Sequence, residues 1–254
     1  MRRIKTYIFA GLLVAVAVFC YGQEETSNLE RLFYRGNDYY EKGEHLKAIE
    51  EYNKIVSAGY ESGPLFYNLG NAYFRIGELG EALLNYERAG RLIPRDADLK
   101  ANSGFARAKI MGSVLEKKGL WTWRPLRLYT DNFTVNELTW MSSAVCVFIV
   151  LLLVIAVSRL DLKNHMAILV LLFFLFGMGN LVINWYKAES IGKEAIVVTP
   201  EIDSRYGPFD SATVFFKLHE GMKVRVLREK DDWDKVKRDD GKMGWVKREA
   251  IEII

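Results

Sequence analysis

Two apolar stretches decide how this chain is built: WMSSAVCVFIVLLLVIAV from Trp140 to Val157, and MAILVLLFFLFGMGNLVINWY from Met166 to Tyr186. Neither carries a charged side chain, and each is close to the roughly 20 residues a helix needs to cross about 30 Å of hydrocarbon. At about −0.3 to −0.6 kcal/mol for each central Leu, Ile, Val or Phe, either stretch gains several kcal/mol on insertion. That exceeds the cost of Ser142, Asn180 or Asn184 near the ends, so both are expected to span a membrane. The first helix has a start signal: Thr134-Val-Asn-Glu137 has the spacing of a capping box, and Phe133 with Leu138 sit at hydrophobic-staple positions. The spans are therefore placed at 135–158 and 166–186. Only Ser158 to His165 joins them, which forces an antiparallel hairpin, so the chain before it and the chain after it face one compartment.

Working outward, Arg2, Arg3 and Lys5 precede an apolar segment from Tyr7 to Tyr21, followed by Gly22, Glu24 and Glu25. This is the layout of a signal peptide over 1–22, cut near Gln23 or retained as an anchor. Bulky Phe19 before Cys20 argues against acylation of that cysteine. Either fate delivers residue 24 onward to the outer side. Arg159 and Lys163 fit an inner location for the hairpin loop, but Arg124, Arg127, Lys187 and Lys193 flank the spans on the other side, so orientation rests on the N-terminal signal. Cys20 and Cys146 both lie in apolar segments, leaving no disulfide for the soluble parts.

The segment before the hairpin repeats. Gly36, Gly70 and Gly104 are 34 residues apart. The unit GPLFYNLGNAYFRIGELGEALLNYERAGRLIPRD, from Gly63, places Phe66, Leu69, Gly70, Tyr73, Ala82, Tyr86, Ala89 and Pro94 on the tetratricopeptide pattern. The unit from Leu29 keeps Leu32, Gly36, Tyr39, Ala48 and Tyr52. A third, from Ala97, keeps Gly104 and then loses the motif, as a capping helix would. Residues 29–118 thus resemble a tetratricopeptide-repeat solenoid. Such arrays bind peptides in a groove lined by the first helix of each unit; here that lining comprises Phe33, Asn37, Tyr40, Tyr67, Asn71, Phe74 and Arg75. A clamp for a C-terminal carboxylate is disfavoured, because Phe33 stands where that clamp has Lys. An apolar or helical segment fits better. Residues 119–134, with Trp121, Trp123, Arg124 and Arg127, suit either an interfacial segment on the headgroups or an arm packed on the repeats.

After the hairpin, 194–254 reads as short strands: Ala195–Val198, Ala212–Lys217, Lys223–Arg228, Trp233–Arg238, Lys242–Val246 and Ala250–Ile253, with a turn at Asp240-Gly241. Thr199–Ser211 is expected to be a long loop. The string from Lys217, with Leu218, Gly221, Val224, Val226, Trp233, Val236, Gly244, Trp245 and Ile251, resembles a bacterial SH3 domain, a small all-β barrel. Gly244 and Trp245 are expected to be structural, with ligand contacts at Tyr206, Phe209 and Trp233; cell-wall (peptidoglycan) peptides are one candidate ligand.

The isolated His45, His165 and His219 have no metal-ligand spacing, and no phosphate loop or nucleophile motif occurs. No enzymatic activity, metal or cofactor is expected. A net charge of +3 gives no reason to expect nucleic acid as a partner. In their order, the signal, repeats, two-span hairpin and SH3-like domain resemble the BatE family of the Bacteroides aerotolerance operon. The resemblance implies an inner-membrane scaffold of a Gram-negative cell, both soluble domains periplasmic, acting with membrane proteins bearing von Willebrand A domains and, through them, a MoxR-type ATPase in oxidative stress. The alternative is an envelope sensor whose SH3-like domain binds peptidoglycan peptides.

Overall fold

The structure, a computed structural model, describes residues 27–111, 129, 132–158 and 163–254; the signal-like segment, most of 112–131 and the hairpin link at 159–162 lie outside the described residues. Five helices open it: α1 (27–41), α2 (His45–Ser57), α3 (Gly63–Ile76), α4 (Leu79–Leu92) and α5 (Ala97–Met111). The 34-residue period governs their ends as well as their cores. Gly43 and Gly77, 34 apart, adopt φ of 78° and 91° in the tight turns that close α1–α2 and α3–α4, a conformation costly for any residue with a Cβ. Ser62 and Asp96, again 34 apart, accept hydrogen bonds from the backbone N–H of Leu65 (3.3 Å) and Leu99 (2.7 Å), starting α3 and α5.

Inside each hairpin a tyrosine lies over a glycine. A Cβ on Gly36 would meet the Tyr52 ring at 2.5 Å, and one on Gly70 would meet the Tyr86 ring at 2.7 Å. Two clusters result, one around Ala48, Tyr52, Leu65 and Leu69, the other around Phe66, Ala82, Leu83, Tyr86 and Leu99. Gly104 meets no described residue within 4 Å, as suits the helix where the repeat stops.

Helices α6 (Val135–Ser158) and α7 (Lys163–Ser190) run antiparallel. At 1.5 Å per residue each exceeds about 35 Å, enough to cross a bilayer. The capping box forms: Thr134 N–H donates to Glu137 Oε2 (2.8 Å) and Glu137 N–H to Thr134 Oγ1 (3.1 Å). Contacts between the helices descend in register, from Lys187 Nζ on the Phe133 carbonyl (2.5 Å) and Asn184 on Thr139 (2.7 Å) to Gly177 beside Val145 and Phe148 against Phe173 (4.7 Å). Of the two glycines there, Gly177 provides a close approach and Gly179 faces open space. Ser142 Oγ donates to the Leu138 carbonyl and Asn180 Nδ2 to the Phe176 carbonyl (3.2 Å), each within its own helix, while Asn180 Oδ1 accepts from Tyr129 OH (2.6 Å). Leu151, Leu172, Phe174 and Leu175 remain outward-facing, which in water would leave a large apolar area wet.

The C-terminal region is a seven-stranded antiparallel sheet: β1 (Glu194–Val197), β2 (Glu201–Arg205), β3 (Val214–His219), β4 (Lys223–Lys230), β5 (Trp233–Arg238), β6 (Met243–Lys247) and β7 (Ile251–Ile253), in the order β3-β2-β6-β5-β4-β1-β7. The end strands contribute Phe216 and Leu218 on one side and Ile251 on the other to one core with Val197, Val224, Val236 and Val246, so the sheet curls on itself. The expected loop at Thr199–Ser211 holds strand β2. Its sequence, EIDSR, has no apolar alternation, and its fully buried residue is Ser204, so period-2 reasoning passes over it. A short 3₁₀ turn, Arg248–Ala250, precedes β7 and shortens the last expected strand.

The helical array and the sheet are docked on each other. Glu220, in the β3–β4 turn, accepts a hydrogen bond from Gly80 N–H (2.6 Å) and so caps α4, whose own Glu78 makes no side-chain cap. Arg88 donates to Glu252 Oε1 (2.9 Å) and to the Ile253 carbonyl (2.7 Å); Arg91 reaches Glu194 (3.1 Å) and the Ile254 carbonyl. Lys223 bridges Glu87 (3.2 Å) and Glu194 (2.8 Å). Glycines make the approach possible: a Cβ on Gly80 would lie 2.9 Å from the Val198 Cα, and one on Gly221 would lie 2.6 Å from Leu83 and 2.7 Å from Ile110. Both units also touch the same end of the helical hairpin, through Arg95 to the Asn132 carbonyl (3.3 Å) and Arg225 to Tyr186 OH (3.4 Å).

Candidate binding surfaces

The face formed by α1, α3 and α5 carries the seven positions expected to line a groove, and their contacts repeat at the same interval. Asn37 Oδ1 accepts from Tyr52 OH (2.7 Å) and Asn68 Nδ2 (3.0 Å); Asn71 Oδ1 accepts from Tyr86 OH (2.7 Å) and Asn102 Nδ2 (2.9 Å). Each asparagine thus ties its own hairpin to the next helix. Burial pushes the Tyr52 hydroxyl up to about 12, with its bond from Asn68 working the other way, and burial likewise raises Tyr86, so both remain neutral donors. These asparagines therefore hold the array together, whatever else they do.

The aromatic members are less committed. Phe33 packs on the first cluster and against Tyr52 (6.0 Å), Tyr67 OH accepts from Asn102 (2.9 Å), and Tyr40 OH accepts from Arg75 Nε (3.3 Å). Phe74 lies beneath Lys109 Nζ, 5.3 Å from the ring centroid. Arg75 is exposed. The period extends the row to two residues not among the expected seven: Phe105, 34 after Asn71 and 69 % exposed, and Lys109, 34 after Arg75. The loss of the repeat motif after Gly104 hid them; carrying the interval one step further finds them. Among the described residues, none of these positions bonds to the sheet, which is held instead from α4 and Ile110.

The sheet offers an open cleft of about 400 Å³ whose lining includes Glu201, Asp203, Arg205, Asp210, Trp233 and Lys247. Trp233 is 8 % exposed, with Lys247 Nζ 5.8 Å from its ring centroid. The charges compensate one another: Lys247 pairs with Asp210 (3.2 Å), Arg205 with Asp203 (3.7 Å) and Lys217 with Glu201. Lys217 holds the Glu201 carboxyl below the usual range against a smaller opposing effect of burial. Tyr206 and Phe209 are 64 % and 55 % exposed, but they do not line this cleft. Tyr206 stacks against Phe215 (4.5 Å), and Phe209 covers Gly207, so the three expected contacts do not form one site.

Gly244 and Trp245 hold the strands. A Cβ on Gly244 would fall 2.1 Å from Ser204 Oγ, and Trp245 is buried opposite Arg205. Asp234, buried in β5, receives Arg248 through three contacts of 3.0 to 3.3 Å.

No curated protein matches the chain. Residues 199–252 match the family model described as the bacterial SH3 domain, in agreement with the curled sheet of short strands on which both the cleft and the docking surface for α4 are built.

Proposed function

We propose that the chain is a non-enzymatic scaffold held in a bacterial inner membrane by α6 and α7, which grips a segment of a partner protein in a tetratricopeptide groove formed by α1, α3 and α5. The observation that carries this reading is the 34-residue translation of caps, turns and asparagine-tyrosine bonds, with one face of the array left free of the sheet among the described residues while the sheet occupies the outer side of α4. Two outward-facing apolar helices support the membrane placement, and a bacterial SH3-like domain suits an envelope location. The N-terminal signal motivates a periplasmic assignment for both soluble domains. By its resemblance to the BatE family, the partner would be a membrane protein with a von Willebrand A domain, linked to a MoxR-type ATPase and to aerotolerance.

Photo-crosslinkers at Tyr67 and Phe74, used in intact membranes of the native cell, test this. A membrane protein captured from both positions and lost on Phe33→Ala with Phe105→Ala supports the scaffold. Adducts to lipid alone, or capture unchanged by those substitutions, refute it. The mixed-charge cleft at Trp233 favours one second reading, a sensor of wall peptides, which carry both amines and carboxylates. Saturable binding of the full chain to purified peptidoglycan, abolished by Lys247→Glu with Asp210→Lys, would establish it.

A further inference from the structure

Two cation-aromatic contacts of different kinds stand at equivalent positions on the α1-α3-α5 face: a hydrogen bond to a phenol oxygen, and an ammonium over a ring. Arg75 on α3 reaches back to Tyr40 on α1 (3.3 Å), and Lys109 on α5 reaches back to Phe74 on α3 (5.3 Å). Tyr40 and Phe74 are 34 apart, as are Arg75 and Lys109. Both cations are exposed, and among the described residues neither is paired with a carboxylate, whereas Arg35, Lys42, Lys47, Lys54, Arg88 and Arg107 all are. A solvent-facing cation whose only partner is a neutral aromatic side chain, with no acid of its own, keeps its attraction for an incoming anion. At the third equivalent position of this row stands Glu41, also exposed, so this row runs from acidic on α1 to basic on α3 and α5. The rings of Tyr40 and Phe74 touch these cations, and exposed Phe105 stands one turn before Lys109 on α5.

We infer that the groove selects an acidic amphipathic segment of a partner protein, its apolar side chains meeting Tyr40, Phe74 and Phe105 and its carboxylates meeting Arg75 and Lys109. This deepens the scaffold reading and rests on it. The charge gradient also orients the occupant, with its carboxylate-rich end over α5.

The test uses the full chain in detergent micelles and three fluorescein-labelled helical peptides of equal length and identical Leu and Phe positions. Glu, Lys or Gln fills the intervening sites. The Glu peptide should bind at least about tenfold tighter than the Lys peptide, and added salt should weaken it while leaving the Gln peptide unaffected. Arg75→Glu with Lys109→Glu should reverse the preference, and circular dichroism on the same variant checks that the helices persist. If the three peptides bind equally and all are lost on Phe74→Ala with Phe105→Ala, the acidic selection is wrong but the groove stands. If none binds, both the selection and the scaffold reading fall.

Discussion

Gly80→Ala separates the docked arrangement from an array that merely shares a chain with the sheet, because the two predict opposite signs. Within a helix, alanine is favoured over glycine by up to about 1 kcal/mol, so the substitution should firm up α4 if nothing lies against it. In the docked structure the new methyl falls 2.9 Å from the Val198 Cα and 3.1 Å from the Val197 carbonyl, backbone atoms of the sheet that cannot rotate aside. Overpacking of this kind costs about 1–3 kcal/mol. Displacing the sheet also weakens the 2.6 Å bond from Gly80 N–H to Glu220, a charge-assisted contact worth roughly 1.5–3 kcal/mol. Docking should therefore weaken by about 2 kcal/mol or more, a factor of roughly thirty. Hydrogen exchange across Leu79–Leu92 reads this directly. The full-length variant in micelles should exchange faster than wild type, while the same substitution in a 27–111 fragment, which contains both helical clusters whole, should exchange more slowly. Equal or greater protection in the full-length variant would refute the docking.

Three further outcomes follow from other contacts. Burial, reinforced by the neighbouring Glu252, lifts the Glu81 carboxyl to about 7, with Arg88 opposing. Because this value lies above the unfolded one, the group favours the native, docked state at low pH, and that contribution is lost as pH rises from about 4.5 through about 7. The ceiling is about 3 kcal/mol, reduced to roughly 1–2 kcal/mol by solvent around a half-buried group; Glu81→Gln should flatten the pH dependence of exchange in α4. Arg248→Ala leaves the Asp234 carboxylate buried without its partner and should destabilise the sheet, by less than the loss of a fully enclosed pair because Arg248 is itself partly exposed; a lower urea midpoint followed by Trp233 and Trp245 fluorescence measures it. Leu151→Lys, at a position 53 % exposed near the middle of α6, should be innocuous in water but should cost about 3 kcal/mol on membrane insertion, so carbonate extraction should release more of the variant than of wild type.

The hairpin and the repeats were legible because each rests on a strong local signal. Apolar length marks a bilayer-sized helix, Thr134 and Glu137 announce its start, and glycines at a fixed interval mark where a tyrosine must pass. Strand β2 was not, since a strand supported by hydrogen bonds on both edges needs no apolar alternation of its own. The expected groove positions were legible as a row, yet sequence did not show that Asn37 and Asn71 are already engaged by Tyr52 and Tyr86. Nor could it show that Tyr206 and Phe209 fall outside the cleft that Trp233 lines, a matter of how the β2–β3 hairpin folds. Least visible was the docking surface. Gly80 and Gly221 look like ordinary helix and turn glycines, and Arg88 and Arg91 look like solvated charges, until the sheet is seen against them.

The central claim is that a helical gripping array and a curled sheet, locked together, stand on one side of a membrane hairpin. Single cysteines at Asn53 and Lys235, introduced with Cys20→Ser and Cys146→Ser, can be probed in sealed, oriented vesicles with a thiol reagent that does not cross the bilayer. Both positions should label from the same side, before detergent is added. Labelling of one from each side would contradict the account.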